Sequence, residues 1–142
     1  MKITVDTNVL VRADVQDDQN QARQASKILS KATLVAIPVP VLCEFVWVLS
    51  RGYKKSNADI SLAINHLMHC ENVVMNRPAV EAGLSALSAG GDFADGVIAY
   101  EGEWLGAEEL VSFDKNGVGR WMRHGGQRHR GMMVSTRRSI VD

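Results

Sequence analysis

The sequence predicts a three-layer α/β/α domain built on a parallel sheet of about five strands. Short runs of β-branched and large aliphatic residues alternate with longer segments of helical periodicity. Neither an internal repeat nor a low-complexity linker interrupts this alternation. Strands that alternate with helices form parallel sheets covered on both faces. At 142 residues the chain has the length of one domain, and we expect residues 1–142 to form a single one.

Strands are predicted from short apolar runs, and helices from apolar stripes of helical spacing and from residues typical of helix ends. The five strand-like segments, each bounded by polar or breaking residues, are residues 2–5, 34–37, 72–75, 110–112 and 132–134. The main helical segments are residues 17–31, 38–50, 56–70, 77–89 and 93–105. Ser56 and Asp59 have the spacing of a capping box. Gly90 and Gly106 follow helical segments, where a residue of positive φ often ends a helix.

The charge balance differs between the two ends of the chain, although the net charge is zero. Residues 1–114 contain 9 Lys and Arg against 15 Asp and Glu, whereas residues 115–142 contain 7 against one. A basic segment beside an acidic one suits a polyanionic partner. A solubilising tail is the alternative. We treat residues 115–142 as part of the domain.

No segment predicts a membrane protein. The first residues lack the apolar core of a signal peptide, and the longest apolar run, residues 34–43, contains two prolines. Cys43 and Cys70 have no CxxC spacing, so we expect reduced thiols. These features predict a cytoplasmic location.

Four acidic residues occupy positions where the fold alone gives little reason for a charge: Asp6, Glu44, Asp95 and Asp114. Asp6 and Asp114 directly follow apolar, strand-like runs. Ligands of open α/β sheets bind beyond the carboxyl ends of strands, and carboxylate oxygens suit Mg²⁺ or Mn²⁺. The sequence therefore indicates an acidic metal site at one edge of the sheet.

Glu44 has the most unusual surroundings of the four. On a helix its neighbours one turn away are Val41, Trp47 and Val48, and its stripe is apolar. A helix that is apolar nearly all round is buried, and a buried glutamate requires a cation. We therefore expect Glu44 to be buried and to share a metal with the aspartates.

Each aspartate also has a purely structural interpretation. Asp6 stands at a strand-to-helix turn, where Asp is a preferred N-cap. Asp92 and Asp95 have capping-box spacing before an apolar run. Asp92 can therefore cap that helix, and Asp95, in its first turn, can interact favourably with the helix dipole. Asp114 can cap a short helix after it.

Four segments in order resemble PIN-domain ribonucleases, specifically the VapC-like toxins of bacterial type II toxin–antitoxin systems. The segments are Val5-Asp6-Thr7-Asn8-Val9-Leu10, Glu44-Phe45-Val46-Trp47-Val48-Leu49, Asp92-Phe93-Ala94-Asp95-Gly96-Val97-Ile98-Ala99 and Leu110-Val111-Ser112-Phe113-Asp114-Lys115. The resemblance implies an acidic quartet of Asp6, Glu44, Asp95 and Asp114. It also implies an Mg²⁺- or Mn²⁺-dependent endoribonuclease, a homodimer, and inhibition by a cognate antitoxin. Gly96 departs from the pattern, since alanine is usual there.

The expected roles follow from this resemblance and from the chemistry of phosphodiester hydrolysis. Asp6, Asp95 and Asp114 bind the metal or its waters, and Glu44 orients the attacking water or joins the metal. The residues expected to support these carboxylates are Asn8, Ser112 and Asp92. The residues expected to bind RNA are Lys115, Arg120, Arg123, Arg128 and Arg130. The expected substrate is structured RNA such as tRNA or rRNA, or mRNA.

A non-catalytic module on the same fold, binding RNA or a protein partner, is the alternative function. The presence of all four acids argues against it, but the sequence leaves it open.

Overall fold

The computed structural model describes residues 1–111 with their side chains and residues 112–113, 118–124 and 132–138 as backbone. The chain divides into two compact units, Met1–Val80 and Glu81–Asp142. The elements of the first unit are β1 (Lys2–Thr4), α1 (Thr7–Val15), α2 (Gln19–Lys31), β2 (Leu34–Ala36), α3 (Val39–Trp47), α4 (Asn57–Met68) and β3 (Val73–Val74). A π-helical turn, Val48–Gly52, continues α3. The remaining elements are α5 (Arg77–Ser88), which begins in the first unit, α6 (Phe93–Trp104), β4 (Glu109–Phe113), β5 (Val118–His124) and β6 (Met132–Arg138).

The first unit contains a parallel sheet with the strand order β1-β2-β3. Ile3 pairs with Val35, and Val35 pairs with Val73. Strand order follows chain order, so both crossovers run in the same direction. All three strands end at the same edge, where α1 and α3 begin.

The core of the first unit lies between this sheet and its helices. The largest fully buried side chains there are Leu10, Val35, Ile37, Leu42, Phe45, Leu49, Ile60, Ile64 and Val80. They come from α1, α3, α4 and the start of α5, from β2 and its end, and from the π-helical turn. Their burial accompanies direct packing of α1 against α3.

The predicted ends of several helices are confirmed. Ser56 caps α4 by accepting a hydrogen bond from the Asp59 amide at 3.1 Å. Gly90 and Gly106 follow α5 and α6 with φ of 84° and 103°. Those values favour glycine, because a Cβ atom strains the left-handed region.

The parallel sheet of about five strands is not found among the described residues. Strands occur at all five predicted positions, but β4 pairs antiparallel with β5, and β5 antiparallel with β6. A sixth strand, β5, lies at Val118–His124, after Asp114, where the sequence suggested a short helix. Only four residues separate β4 from β5, whereas a parallel connection needs a dozen or more. A connection this short makes the antiparallel pairing the only one available.

Close packing between α5 and α6 explains the glycine at position 96. A Cβ atom there would lie 2.6 Å from the Ala82 carbonyl oxygen and 2.8 Å from the Ala86 Cβ. The helices approach so closely that alanine does not fit. The departure from the usual alanine is therefore a packing requirement of the second unit.

No helix among the described residues is both long and apolar enough to cross a membrane.

Two glycines of α6 give a test of this packing. We expect Gly96→Ala to lower the free energy of unfolding by about 1–3 kcal/mol, because the new methyl group overpacks the contact with α5. Gly102→Ala should instead raise it by up to about 1 kcal/mol, since the nearest atom to its Cβ, on Ala107, is 3.8 Å away. Urea denaturation of both variants measures the difference. Changes of the same sign would contradict the close approach.

Candidate active site

Asp6 lies just beyond the carboxyl end of β1 and is the N-cap of α1. Its Oδ1 atom accepts a hydrogen bond of 2.7 Å from the Thr7 amide. The cap interpretation of Asp6 is therefore confirmed. The side chain is nevertheless exposed, and its second oxygen, Oδ2, accepts no hydrogen bond from a described residue. That oxygen is available to a ligand.

Thr7 connects Asp6 to Glu44. Its side chain is only 3% exposed, and it is the one polar residue in the buried class among the described residues. Its hydroxyl donates to Glu44 Oε2 at 3.0 Å and lies 3.5 Å from the Val41 carbonyl oxygen. The shorter and charge-assisted contact with the carboxylate is the stronger one. The buried threonine therefore holds the two acids at the same edge of the sheet.

The expectation that Glu44 is buried is wrong. The helix α3 turns Leu42, Phe45 and Val46 into the core, and the side chain of Glu44 is exposed. Counting apolar neighbours did not reveal this, because Trp47, one of those neighbours, shares the exposed face. The glutamate therefore needs no cation to offset burial. Its position beside Thr7 and Asp6 is what qualifies it as a site residue.

Asp92 and Asp95 belong to the second unit. Asp92 is the N-cap of α6, and its Oδ1 atom accepts a hydrogen bond of 2.7 Å from the Ala94 amide. Asp95 lies in the first turn of that helix and is partly buried. The cap interpretation of Asp92 is confirmed. A metal-binding role for either residue stays a prediction.

Several predicted site residues lie outside the part of the chain described with side chains. Asp114, Lys115, Arg128 and Arg130 fall outside the described residues. Ser112 lies in β4, paired with Arg120 of β5, and Arg123 also lies in β5. Asn8 is exposed and forms no side-chain hydrogen bond with a described residue. The roles predicted for all of these residues stay predictions.

The donor set of Asp6 and Glu44 fits a hard divalent cation. Both are exposed carboxylates, each with one oxygen that no described residue engages. Mg²⁺ is often bound by one or two carboxylates and keeps several waters. No group of three or more His, Cys, Asp or Glu side chains among the described residues could hold a metal. The described residues thus offer a pair of carboxylate ligands at most.

A family model described as the PIN domain matches residues 3–116. The matched region covers most of the chain and includes all four predicted acids, so the chain belongs to the PIN-domain family. PIN domains are commonly nucleases that hydrolyse phosphodiester bonds, and they generally use divalent metal ions. Searches of curated proteins and of solved structures gave no match.

Thr7 is the site residue that the sequence did not reveal. It follows the strand-end aspartate directly, at a place where a small polar residue is equally typical of an ordinary turn. The sequence contains a hydroxyl at the first position of α1 and an acid on a later helix, but it does not show that the two are close. They meet only because α1 packs against α3.

We expect Thr7→Val to lower activity about 10- to 100-fold, the usual cost of losing a residue that orients a metal ligand. Stability should change by no more than about 1 kcal/mol, because valine fills the same volume and the exposed Glu44 can be hydrated. Metal-dependent RNA cleavage and thermal unfolding measure the two effects. Thr7→Ser is the control, since it keeps the hydroxyl and should keep most activity. Equal activity of the Val and Ser variants would remove the hydroxyl from the site.

Proposed function

We propose that this chain is a metal-dependent endoribonuclease toxin that hydrolyses RNA phosphodiester bonds and is inhibited by a cognate antitoxin. The observation that carries the proposal is the arrangement of Asp6, Thr7 and Glu44 at the carboxyl edge of the parallel sheet. Family membership supports a nuclease function in general. The toxin and antitoxin roles rest on the resemblance of the four sequence segments to VapC-like toxins.

The residues have separate tasks in this chemistry. A bound divalent cation, Mg²⁺ or Mn²⁺, supplies charge neutralisation and lowers the pKa of water. Glu44, held through Oε2 by Thr7, keeps Oε1 for orienting or deprotonating the attacking water. Asp6 keeps Oδ2 for the cation or its waters. Asp95 and Asp114 are proposed to complete the donor set.

Charge favours a nucleic acid as the substrate. The segment 115–142 carries 7 basic residues against one acid, and neutralisation of phosphates by such residues drives binding. The proposed RNA-binding residues are Lys115, Arg120, Arg123, Arg128 and Arg130. Attack by water makes no use of the 2′-hydroxyl, so a preference for RNA such as tRNA, rRNA or mRNA must come from binding. The proposed products carry a 5′-phosphate and a 3′-hydroxyl.

We expect Asp6→Asn, Glu44→Gln and Asp95→Asn each to lower Mg²⁺-dependent cleavage of RNA by at least about 100-fold. The melting temperatures should stay close to that of the wild type, because the amides conserve shape and asparagine also caps helices well. Cleavage of end-labelled RNA over a range of Mg²⁺ concentrations measures the effect.

One other cap residue is the control for this test, and a second, Asp92, is tested alongside it. Asp18 caps α2 through the Gln21 amide, and Asp18→Asn should cleave RNA at the wild-type rate. Asp92→Asn keeps its cap, so a loss of activity there would assign Asp92 to the metal. Wild-type rates for Asp6→Asn or Glu44→Gln would refute the site. A wild-type protein that binds RNA without cleaving it would favour the non-catalytic module.

A groove in the first unit supports the antitoxin proposal. A cavity of about 680 Å³ lies among α1, α2, α3, α4 and β3, with an apolar lining that includes Leu10, Leu29, Phe45 and Leu67. The carboxylates of Asp14 and Glu71 also line it. An amphipathic helix binds such a groove through its apolar face. Basic residues beside that face would complement the two acids.

We expect Ala63→Glu in this groove to prevent neutralisation by the antitoxin while RNA cleavage continues, because the new carboxylate would be buried on binding. Co-expression with the neighbouring open reading frame should relieve growth arrest by the wild type but not by this variant. Ala58→Glu is the matched control, since Ala58 is exposed on the same helix and does not line the cavity. If co-expression relieved growth arrest by both variants, the antitoxin would have to bind another surface. Undiminished toxicity of the wild type beside every adjacent gene would refute the antitoxin.

Homodimerisation and a cytoplasmic location belong to the same proposal. In α3 and the π-helical turn after it, Phe45, Val46 and Leu49 are buried within the chain and offer no surface to a second copy. Only Trp47 remains as a large exposed apolar side chain there. Light scattering at micromolar concentration tests the dimer.

A further inference from the structure

The outer face of α3 and of the π-helical turn that continues it carries three exposed side chains in a row. Leu42, Phe45 and Leu49 face the core, whereas Glu44, Trp47 and Arg51 are exposed. The spacing of three and then four residues places the exposed side chains on one stripe of the helix. The stripe begins at the candidate active site, because Glu44 is held there by Thr7.

Trp47 is the unusual member of this stripe. Its side chain is 63% exposed, although tryptophan is highly buried on average in folded proteins. It lies one helical turn from a carboxylate of the candidate site. An exposed indole ring offers a flat surface on which an unpaired base can stack.

Arg51 lies one turn further along, on the π-helical turn Val48–Gly52. Single π-turns are rare and occur frequently at functional sites. The Arg51 side chain is exposed and makes no ion pair with a described residue. A guanidinium without a carboxylate partner is available to phosphate, which it binds in a bidentate manner.

The three side chains are spaced like parts of one nucleotide site. A rise of about 1.5 Å per residue puts Glu44 and Arg51 roughly 10 Å apart along the helix axis, with Trp47 between them. Carboxylate, aromatic ring and cation therefore follow one another within the reach of a short stretch of RNA.

We propose that Trp47 stacks on an unpaired base of the substrate and that Arg51 binds the neighbouring phosphate, which brings the scissile phosphate to Glu44 and Asp6. The inference rests on the proposed nuclease function and adds two residues that bind its substrate. The RNA must be single-stranded or looped at the cleavage site, because a base inside a duplex cannot stack on a protein side chain.

Another exposed tryptophan shows why the stripe matters more than exposure alone. Trp104 in α6 is 77% exposed. Its neighbours in sequence are Glu101, Glu103 and Glu108 rather than a cation, and such a surface repels phosphate. Trp104 is therefore a matched control for Trp47.

The test uses the full chain carrying Glu44→Gln, which should bind RNA without cleaving it. Trp47→Leu should weaken binding of a single-stranded oligoribonucleotide roughly 5- to 100-fold, the range expected for one base–aromatic stack. Trp47→Phe should restore most of the affinity, and Trp104→Leu should not alter it. A duplex of the same sequence should bind equally well with and without Trp47.

Arg51 is tested through the salt dependence of the same binding. Arg51→Gln should reduce the slope of log K against log[salt] by about 0.7, the value for one phosphate contact in a single strand. Arg51→Lys should preserve the slope. Arg23→Gln, on the exposed side of α2, is the control and should leave it unchanged.

Kinetics with wild-type Glu44 separate this inference from the proposed function. Trp47→Leu should raise KM and leave kcat near the wild-type value, as expected for uniform substrate binding. If Trp47→Leu cleaved RNA with an unchanged KM, the proposed stacking on Trp47 would be refuted and the nuclease function would stand. If Trp47→Leu instead turned a dimer into a monomer without altering RNA affinity, Trp47 would be an interface residue. Absence of both binding and cleavage in the wild type would overturn both proposals.

Discussion

The hydrogen bond from the buried Thr7 hydroxyl to Glu44 is the contact on which the candidate site depends. Thr7 is at once the first residue of α1, the donor to Asp6 through its amide, and the donor to Glu44 through its side chain. Ordering a glutamate side chain costs about 1.5–2 kcal/mol of conformational entropy. A hydrogen bond to a charged group returns at most about 1.5–3 kcal/mol, and less at an exposed side chain, so this bond roughly offsets the cost of ordering the carboxylate. Because Thr7 is itself held by packing, the orientation of Glu44 follows from the fold.

The exposure of Asp6 and Glu44 separates metal binding from stability. An exposed carboxylate retains most of its hydration, so its charge adds little strain to the fold in the absence of a cation. Asp6 also contributes to folding through its cap on α1. The described part of the site is therefore compatible with a stable metal-free protein, and cation binding would mainly remove repulsion between the two acids. This differs from a structural metal site, whose ligands are folded by the metal.

Much of the fold could be predicted from the sequence, because local signals determine strand positions and helix ends. Ser56 was expected to begin a helix, and Gly90 and Gly106 to follow the ends of two others; all three do so. The parallel pairing expected for β4 was wrong, because the pairing depends on the length of the connection to β5, a strand that the sequence did not reveal. The exposure of Glu44 and the role of Thr7 depend on which side of α3 meets the sheet. Apolar neighbours at positions 41, 47 and 48 cannot determine that orientation.

The two faces of α3 divide the work of the site between them. The inner face, with Leu42 and Phe45, is buried in the core, and α3 packs on α1, where Thr7 binds Glu44 beside Asp6. The outer face contributes little to the core, and its residues can be chosen for what they bind. A helix rigidly packed on one side is a better support for a catalytic group than a loop, because its backbone cannot adjust without disturbing the core. The apolar residues of α3 predicted a helix buried on all sides. In the structure they bury only its inner face, and that burial fixes the position of Glu44 and its exposed neighbours.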